Sequence, residues 1–300
     1  MIPIRTAHLE SAAQSDPGRS GKNNEDRYSL AGFRLDRRAG GKPALVAILA
    51  DGMGGHQAGE VASEMAVKIL GQVIAASNGR DPGQILTSAI QQANSAIHEH
   101  GREQNELAGM GTTAVIAWVL DSRLFSASVG NSRLYLLRGG LFRRLTVDHT
   151  WIQEALDLGL LTAQQAHDHP NKHVITRHLG MPEVAADIGV RGDAQGDPLQ
   201  LQAGDVLFMS SDGLNDLVEE AEMQAALESE PLPKALDRLT RLANQRGGHD
   251  NITTVALRYH GDDRQFPLPE RRMRKLGWFT GLSIVILAAI VLTAWLIFVK

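Results

Sequence analysis

From Leu276 to Val299 the chain reads LGWFTGLSIVILAAIVLTAWLIFV, without one charged residue. A run that is apolar on every face has no solvated side, so it is either a buried core helix or a membrane span. As a helix it extends roughly 35 Å, enough for a hydrocarbon layer of about 30 Å. Trp278 and Trp295 lie near its two ends, where interfacial aromatics sit. Arg271, Arg272, Arg274 and Lys275 precede the run and Lys300 alone follows it, which keeps the larger N-terminal part on the cytoplasmic side. The expectation is one C-terminal transmembrane helix over 276–299, inserted as a tail anchor.

The rest of the chain must then fold by itself. Residues 1–260 show no break in composition and no repeat of fixed period, and read as one domain. Gly261 to Glu270, GDDRQFPLPE, is polar with two prolines. With the basic residues that follow, 261–275 reads as a linker. Hydrophobic residues at 43% are enough for a sizeable core. A net charge of −4 argues against a nucleic-acid partner. There is no cysteine, which excludes disulfides, thiolate zinc sites and a cysteine nucleophile. The N-terminus lacks the apolar core of a secretory signal.

Periodicity places helices at 59–75, with Val61, Met65, Ile69 and Val73 on one face, at 85–98 and at 233–244. Short apolar runs place strands at 44–50, 112–120, 124–129, 134–138, 205–210 and 252–259. Gly139-Gly140 turns the chain into a further strand at 141–145. Helix pairs among strand pairs imply an α+β sandwich rather than a βαβ repeat.

Carboxylates follow these strands. Asp51 ends ALVAILA and opens Asp51-Gly52-Met53-Gly54-Gly55-His56. Asp212-Gly213 ends DVLFMSS. Asp250 follows Gly247-Gly248-His249 and enters a strand with Asn251. Glu25 and Asp26 lie in Asn23-Asn24-Glu25-Asp26. Any single Asp-Gly reads as a turn. Taken together they are hard oxygen donors at strand ends, beside glycines that let the backbone approach a ligand closely. That donor set suits magnesium or manganese rather than zinc. Converging carboxylates repel, and divalent ions would relieve the repulsion.

In order along the chain stand SDPGRSGKNNEDRY (15–28), ILADGMGGHQAGEVAS (48–63), GMGTTAV (109–115), VGNSRLYLLRGG (129–140), LTVDHT (145–150), HPNKHVITRHLG (169–180), DVLFMSSDGLNDLV (205–218) and GGHDNITTV (247–255). From about Thr6 to Tyr259 the chain resembles the bacterial metal-dependent serine/threonine phosphatases of type 2C, the PPM family. The resemblance implies a four-layer α-β-β-α sandwich of two antiparallel sheets. It also implies two Mn2+ or Mg2+ ions whose bridging hydroxide attacks phosphoserine or phosphothreonine on proteins. Asp51 resembles the carboxylate bridging both ions. Gly52, through its carbonyl, and Glu25 resemble ligands of one ion, and Asp212 and Asp250 ligands of the other. Asp26 and Asn251 resemble residues that order them.

Two positions depart from the family pattern, and a third differs from its eukaryotic members. Gly21 stands where the family has its phosphate-binding arginine, so Arg19 or Lys22 is expected to hold the phosphate, Arg19 foremost. Asn131 replaces an aspartate of a third metal site, which predicts a weaker third ion. Met53 stands where eukaryotic members have a histidine that serves as proton donor, so His56 is the candidate, with metal-bound water, or a solvent-ordering role for His56, as the alternatives. The histidines 167, 169, 173 and 178 fit no zinc spacing and belong, by resemblance, to a flap beside the site. His98-Glu99-His100 is not a metalloprotease motif, and Gly109–Thr113 lacks the lysine of a nucleotide loop.

The apolar run and its basic flank lead to the expectation of a monomeric protein at the cell inner membrane with its large domain cytoplasmic. The resemblance implies action on phosphoproteins that include a serine/threonine kinase and its substrates, secretion-system regulation among the settings. The rival reading is a membrane-tethered phosphoprotein-binding module of weak catalysis, motivated by Gly21 and Asn131.

Overall fold

In the strand Pro43–Ala50 every residue after Pro43 is buried. Successive side chains of a strand point to opposite faces, so such a strand needs cover on both sides. Ala44, Val46, Ile48 and Ala50 face one apolar core, while Leu45, Ala47 and Leu49 face another. The neighbouring strand Ala114–Leu120 divides its side chains between the same two cores. In the strand Val206–Ser210, Leu207 and Met209 join the second core and Val206 and Phe208 a third. Three apolar layers require four layers of backbone.

The structure, a computed structural model, describes residues 1–35, 41–54, 58–167, 169–189, 198–262 and 264–269. Its outer layer on one side is the helix pair Ala58–Ala76 and Pro82–Glu103. Beneath lies a seven-stranded sheet in the order Ile2–Ile4, Arg27–Arg34, Pro43–Ala50, Ala114–Leu120, Arg123–Val129, Asp187–Ile188. The short strand Leu199–Gln200 also pairs with Arg123–Val129. The facing sheet has five strands in the order Leu141–Arg144, Arg133–Arg138, Val206–Ser210, Ile252–Tyr259, Leu9–Asp16. Helices Glu220–Ser229 and Leu232–Gln245 cover its outer face. All pairings within both sheets are antiparallel. This is the α-β-β-α sandwich expected.

Two expectations change. The first helix does not bury Val61, Met65, Ile69 and Val73, which are only partly buried along its flank. Ala62, Ala66, Leu70 and Ile74 form its core face instead. Ala58, Ala62 and Ala66 are small enough to let the helix lie close on the sheet, so the larger side chains cover the edge of the contact. The described part of 261–275 is no free linker. Phe266–Pro267 pairs with Thr6–Ala7, Phe266 stacks on His260 with ring centroids 4.9 Å apart, and Leu268 packs on the inner core. Two apolar residues inside a polar stretch supply this clasp, and the folded unit reaches Pro269. The expected span 276–299 lies outside the described residues. Among those described, no helix is long and apolar enough to cross a membrane.

Register brings the functional segments to one rim. Ala50 pairs with Arg27, Leu49 with Val115, Ala114 with Val129, Arg133 with Ser210, and Ile252 with Asp16. Residues 17–26, 51–54, 111–113, 130–132, 211–212 and 247–251 therefore all lie at this one end of the sandwich.

Candidate active site

Asp51 leaves the seven-stranded sheet and Asp212 the five-stranded one, so their meeting joins the two layers. The Asp51 backbone is held at both polar groups. Its N–H donates to Thr113 Oγ1 at 3.0 Å, and its carbonyl accepts from the Thr113 N–H and the Thr112 hydroxyl, each at 2.8 Å. Thr113 Oγ1 also lies 2.7 Å from Ser132 Oγ. The Asp51 carboxyl lies beside that of Asp212, and Asn131 Nδ2 donates to Asp212 Oδ2 at 3.0 Å. Burial first, then the charges of Asp212 and Asp26, raise the Asp51 pKa well above the carboxylate range. Asp51 is partly exposed at the rim.

Asp26 is buried. Its Oδ2 accepts from the Ser211 hydroxyl at 2.8 Å, while its Oδ1 has no partner. Burial pushes its pKa up to about 8, against the hydrogen bonds of Thr253 and Ser211, which pull it down. Glu25 is fixed through its backbone: its N–H donates to Asn251 Oδ1 at 2.8 Å and its carbonyl accepts from Ser63 Oγ. Its carboxyl is raised by burial and by Asp250, an effect that Lys22 opposes. Asp250 is exposed at the rim and its Oδ1 accepts the Asn251 N–H at 2.8 Å. Asn251 thus braces Asp250 with its backbone and Glu25 with its side chain.

Glycine is required where these loops interlock. A Cβ on Gly52 would strike the carbonyl oxygens of Gly59 and Glu25. A Cβ on Gly18, at φ +71°, would strike those of Asp250 and Gly248. Arg19 is exposed on this second junction, its N–H donating to the Gly248 carbonyl. Lys22 stands near Glu25. His56 lies outside the described residues. His169 stacks on Trp151 and His173 pairs with Asp216 at 3.2 Å, so these two flap histidines serve different partners.

The structure thus gathers Glu25, Asp26, Gly52, Asp51, Asn131, Asp212, Asp250 and Asn251 at one rim, with Arg19 and Lys22 at its edge. Sequence reasoning missed Ser63, Thr112, Thr113, Ser132 and Ser211. Four of these hydroxyls hold an acidic residue and Ser132 holds one of the four, Thr113; hydroxyls are too common in a sequence to signal this.

Divalent cations fit this donor set. Every donor is a hard oxygen, Asp51 and Asp26 press on neighbouring carboxyls with no cation beside them among the described residues, and the buried Oδ1 atoms of Asp26 and Asn131 have no partner. Among the described residues no three His, Cys, Asp or Glu side chains stand close enough together to enclose an ion.

The protein phosphatase 2C family model matches residues 18–255. Protein phosphatase PhpP of Streptococcus pneumoniae is 33% identical over 262 residues, which cover 86% of this chain and all of that one. The crystal structure of the Mycobacterium tuberculosis serine/threonine phosphatase PstP/Ppp superposes with a TM-score of 0.73 at 35% identity. The match covers 84% of this chain and 99% of that one. A structure of the PstP catalytic domain in complex with two manganese ions superposes with a TM-score of 0.70 at 35% identity, covering 83% and 97%. The match begins just after the strand Leu9–Asp16 and ends within its partner Ile252–Tyr259, and on it the chain belongs to the protein phosphatase 2C family.

Proposed function

We propose that this chain hydrolyses phosphoserine and phosphothreonine on proteins, with two Mn2+ or Mg2+ ions at the rim. The observation behind the reading is the approach of the Asp51 and Asp212 carboxyls, which the two facing sheets bring together at one rim. The family membership and the two manganese ions of the PstP structure support it.

Asp51, Glu25 and the Gly52 carbonyl are assigned to one ion, and Asp51, Asp212 and Asp250 to the other. When bound, the ions supply positive charge that lowers the pKa of nearby water and offsets charge on the phosphoryl oxygens. The chain's own residues do the positioning. Thr112 and Thr113 fix the Asp51 backbone, Ser211 links Asp26 to the Asp212 turn, and Asn251 links Glu25 to Asp250. Arg19 and Lys22 are assigned to the substrate phosphate, where Arg19 offers a planar fork and Lys22 a point charge. Asn131 holds Asp212 with its amide nitrogen, and a third ion there would lack the charge of an aspartate. His56 remains the proposed proton donor on sequence grounds.

The reading includes a membrane. The charge-free run 276–299, preceded by four basic residues, supports anchoring at the inner membrane with this domain cytoplasmic. Anchoring raises the local concentration of membrane-bound phosphoproteins, a serine/threonine kinase among them. Mn2+-dependent turnover of a phosphothreonine peptide, lost in Asp212→Asn, tests the chemistry. A wild-type protein that binds the peptide without turning it over means a binding module instead. Recovery of the full chain in alkali-washed membranes tests the anchor, and recovery in the soluble fraction contradicts it.

A further inference from the structure

Gly130 sits between a strand end and the two residues that reach the acidic rim. Asn131 donates to Asp212, and Ser132 contacts the threonine that holds the Asp51 N–H. Gly130 has φ +99°, and a Cβ there would strike the side chain of Thr113. Its backbone is gripped from one residue, His149, which is buried. The His149 N–H donates to the Gly130 carbonyl at 2.9 Å, and the Gly130 N–H donates to His149 Nδ1 at 3.1 Å. A backbone N–H is always a donor, so Nδ1 must be unprotonated and the ring hydrogen must sit on Nε2. Nε2 lies 3.2 Å from Asp187 Oδ2, close enough for the carboxylate charge to act on its N–H though off-line for a hydrogen bond. The imidazole holds the Asp187 carboxyl below its usual range, and Arg177 approaches the same carboxyl at 3.8 Å. On its other side the His149 carbonyl accepts from Thr176 N–H at 2.9 Å, where the flap rejoins the body.

We propose that His149 is a positioning residue: through Nδ1 it sets the Gly130–Ser132 loop, and with it the placement of Asp212 and Asp51 for divalent ions. The Gly130 N–H sets the tautomer, and the Asp187 charge beside Nε2 favours the ring hydrogen there. His149 touches no reacting atom, and the inference deepens the metal-dependent reading above.

Two substitutions separate the ring nitrogens. An asparagine oxygen reaches the place of Nδ1 and keeps the acceptor for Gly130. A glutamine amide reaches the place of Nε2 and keeps only the side toward Asp187. Amide hydrogen exchange of the metal-free full-length chain reads the Gly130 contact directly. The segment 129–133 should exchange roughly 5- to 10-fold faster in His149→Gln and His149→Ala, and near the wild-type rate in His149→Asn. Calorimetric Mn2+ affinity should fall about 10- to 100-fold in His149→Gln and recover most of that in His149→Asn, with a smaller loss in Asp187→Ala. Unchanged exchange in all variants, or His149→Asn as impaired as His149→Gln in both readouts, overturns the proposal. If wild-type protein binds no Mn2+, the functional reading fails, and the exchange arm still decides whether His149 sets the loop.

Discussion

Two carboxylates, one at each end of the sandwich, are equally buried and opposite in their surroundings. Asp205 is 2% exposed at the end away from the rim, and Asp26 is 2% exposed at the rim. Asp205 receives Arg138 Nε and Nη2 at 2.9 and 2.6 Å and the Gln202 N–H at 2.8 Å. A planar fork and a backbone donor offset its loss of water. Asp26 has hydroxyl donors, one oxygen without a partner and neighbours of its own charge. The eight residues of Leu9–Asp16 span about 25 Å between the two ends. One end is satisfied by the protein itself. The other leaves an unbalanced acidic cluster, as a site does when its balance is to come from a ligand.

Substitutions at the two ends should therefore trade places. The largest effect is expected in Asp51→Asn and Asp212→Asn, each lowering kcat for a phosphopeptide by about 10³-fold. The same changes relieve repulsion, so the metal-free protein should melt no lower than wild type, and about 2 °C higher if 1 kcal/mol is gained. A fall in both activity and Tm would erase the contrast between the ends. Arg138→Ala inverts it, leaving Asp205 buried and unpaired. About 3 kcal/mol of stability should be lost in urea titration, near the low end for a broken buried pair because Arg138 is partly exposed, with KM and kcat unchanged. Asp26→Asn keeps an acceptor for Ser211 and removes a charge. Activity should drop roughly 10- to 100-fold with little change in Tm. The smallest effect belongs to the clasp at the far end: Phe266→Ala should cost about 1 kcal/mol and leave turnover intact.

The rim was legible where chemistry and chain order coincide. Asp51 and Asp212 each follow a short apolar run and precede glycine, and Asp250 follows two glycines, so the type of residue and its place at a strand end are both written locally. Glu25 and Asp26 were found by their order among the other markers. The strand Leu9–Asp16, LESAAQSD, was not legible: it is polar and small in composition, and its partner Ile252–Tyr259 lies far along the chain. The contact of Ser132 with Thr113 depends on two loops that meet only when the sheet forms. Phe266 and Leu268 were masked by the prolines and charges around them. The first helix was found but misphased, because alanines, not its largest apolar residues, make the closest contact with the sheet.

The central claim is that carboxylates from two facing sheets are held together to bind divalent cations. Calorimetric titration of Mn2+ into metal-free protein, with Tm followed in parallel, tests it most directly. Two ions per wild-type chain, a Tm that rises with Mn2+, and loss of both responses in Asp51→Asn are predicted. Phosphopeptide turnover with no bound Mn2+, or equal Mn2+ binding by Asp51→Asn, would contradict the account.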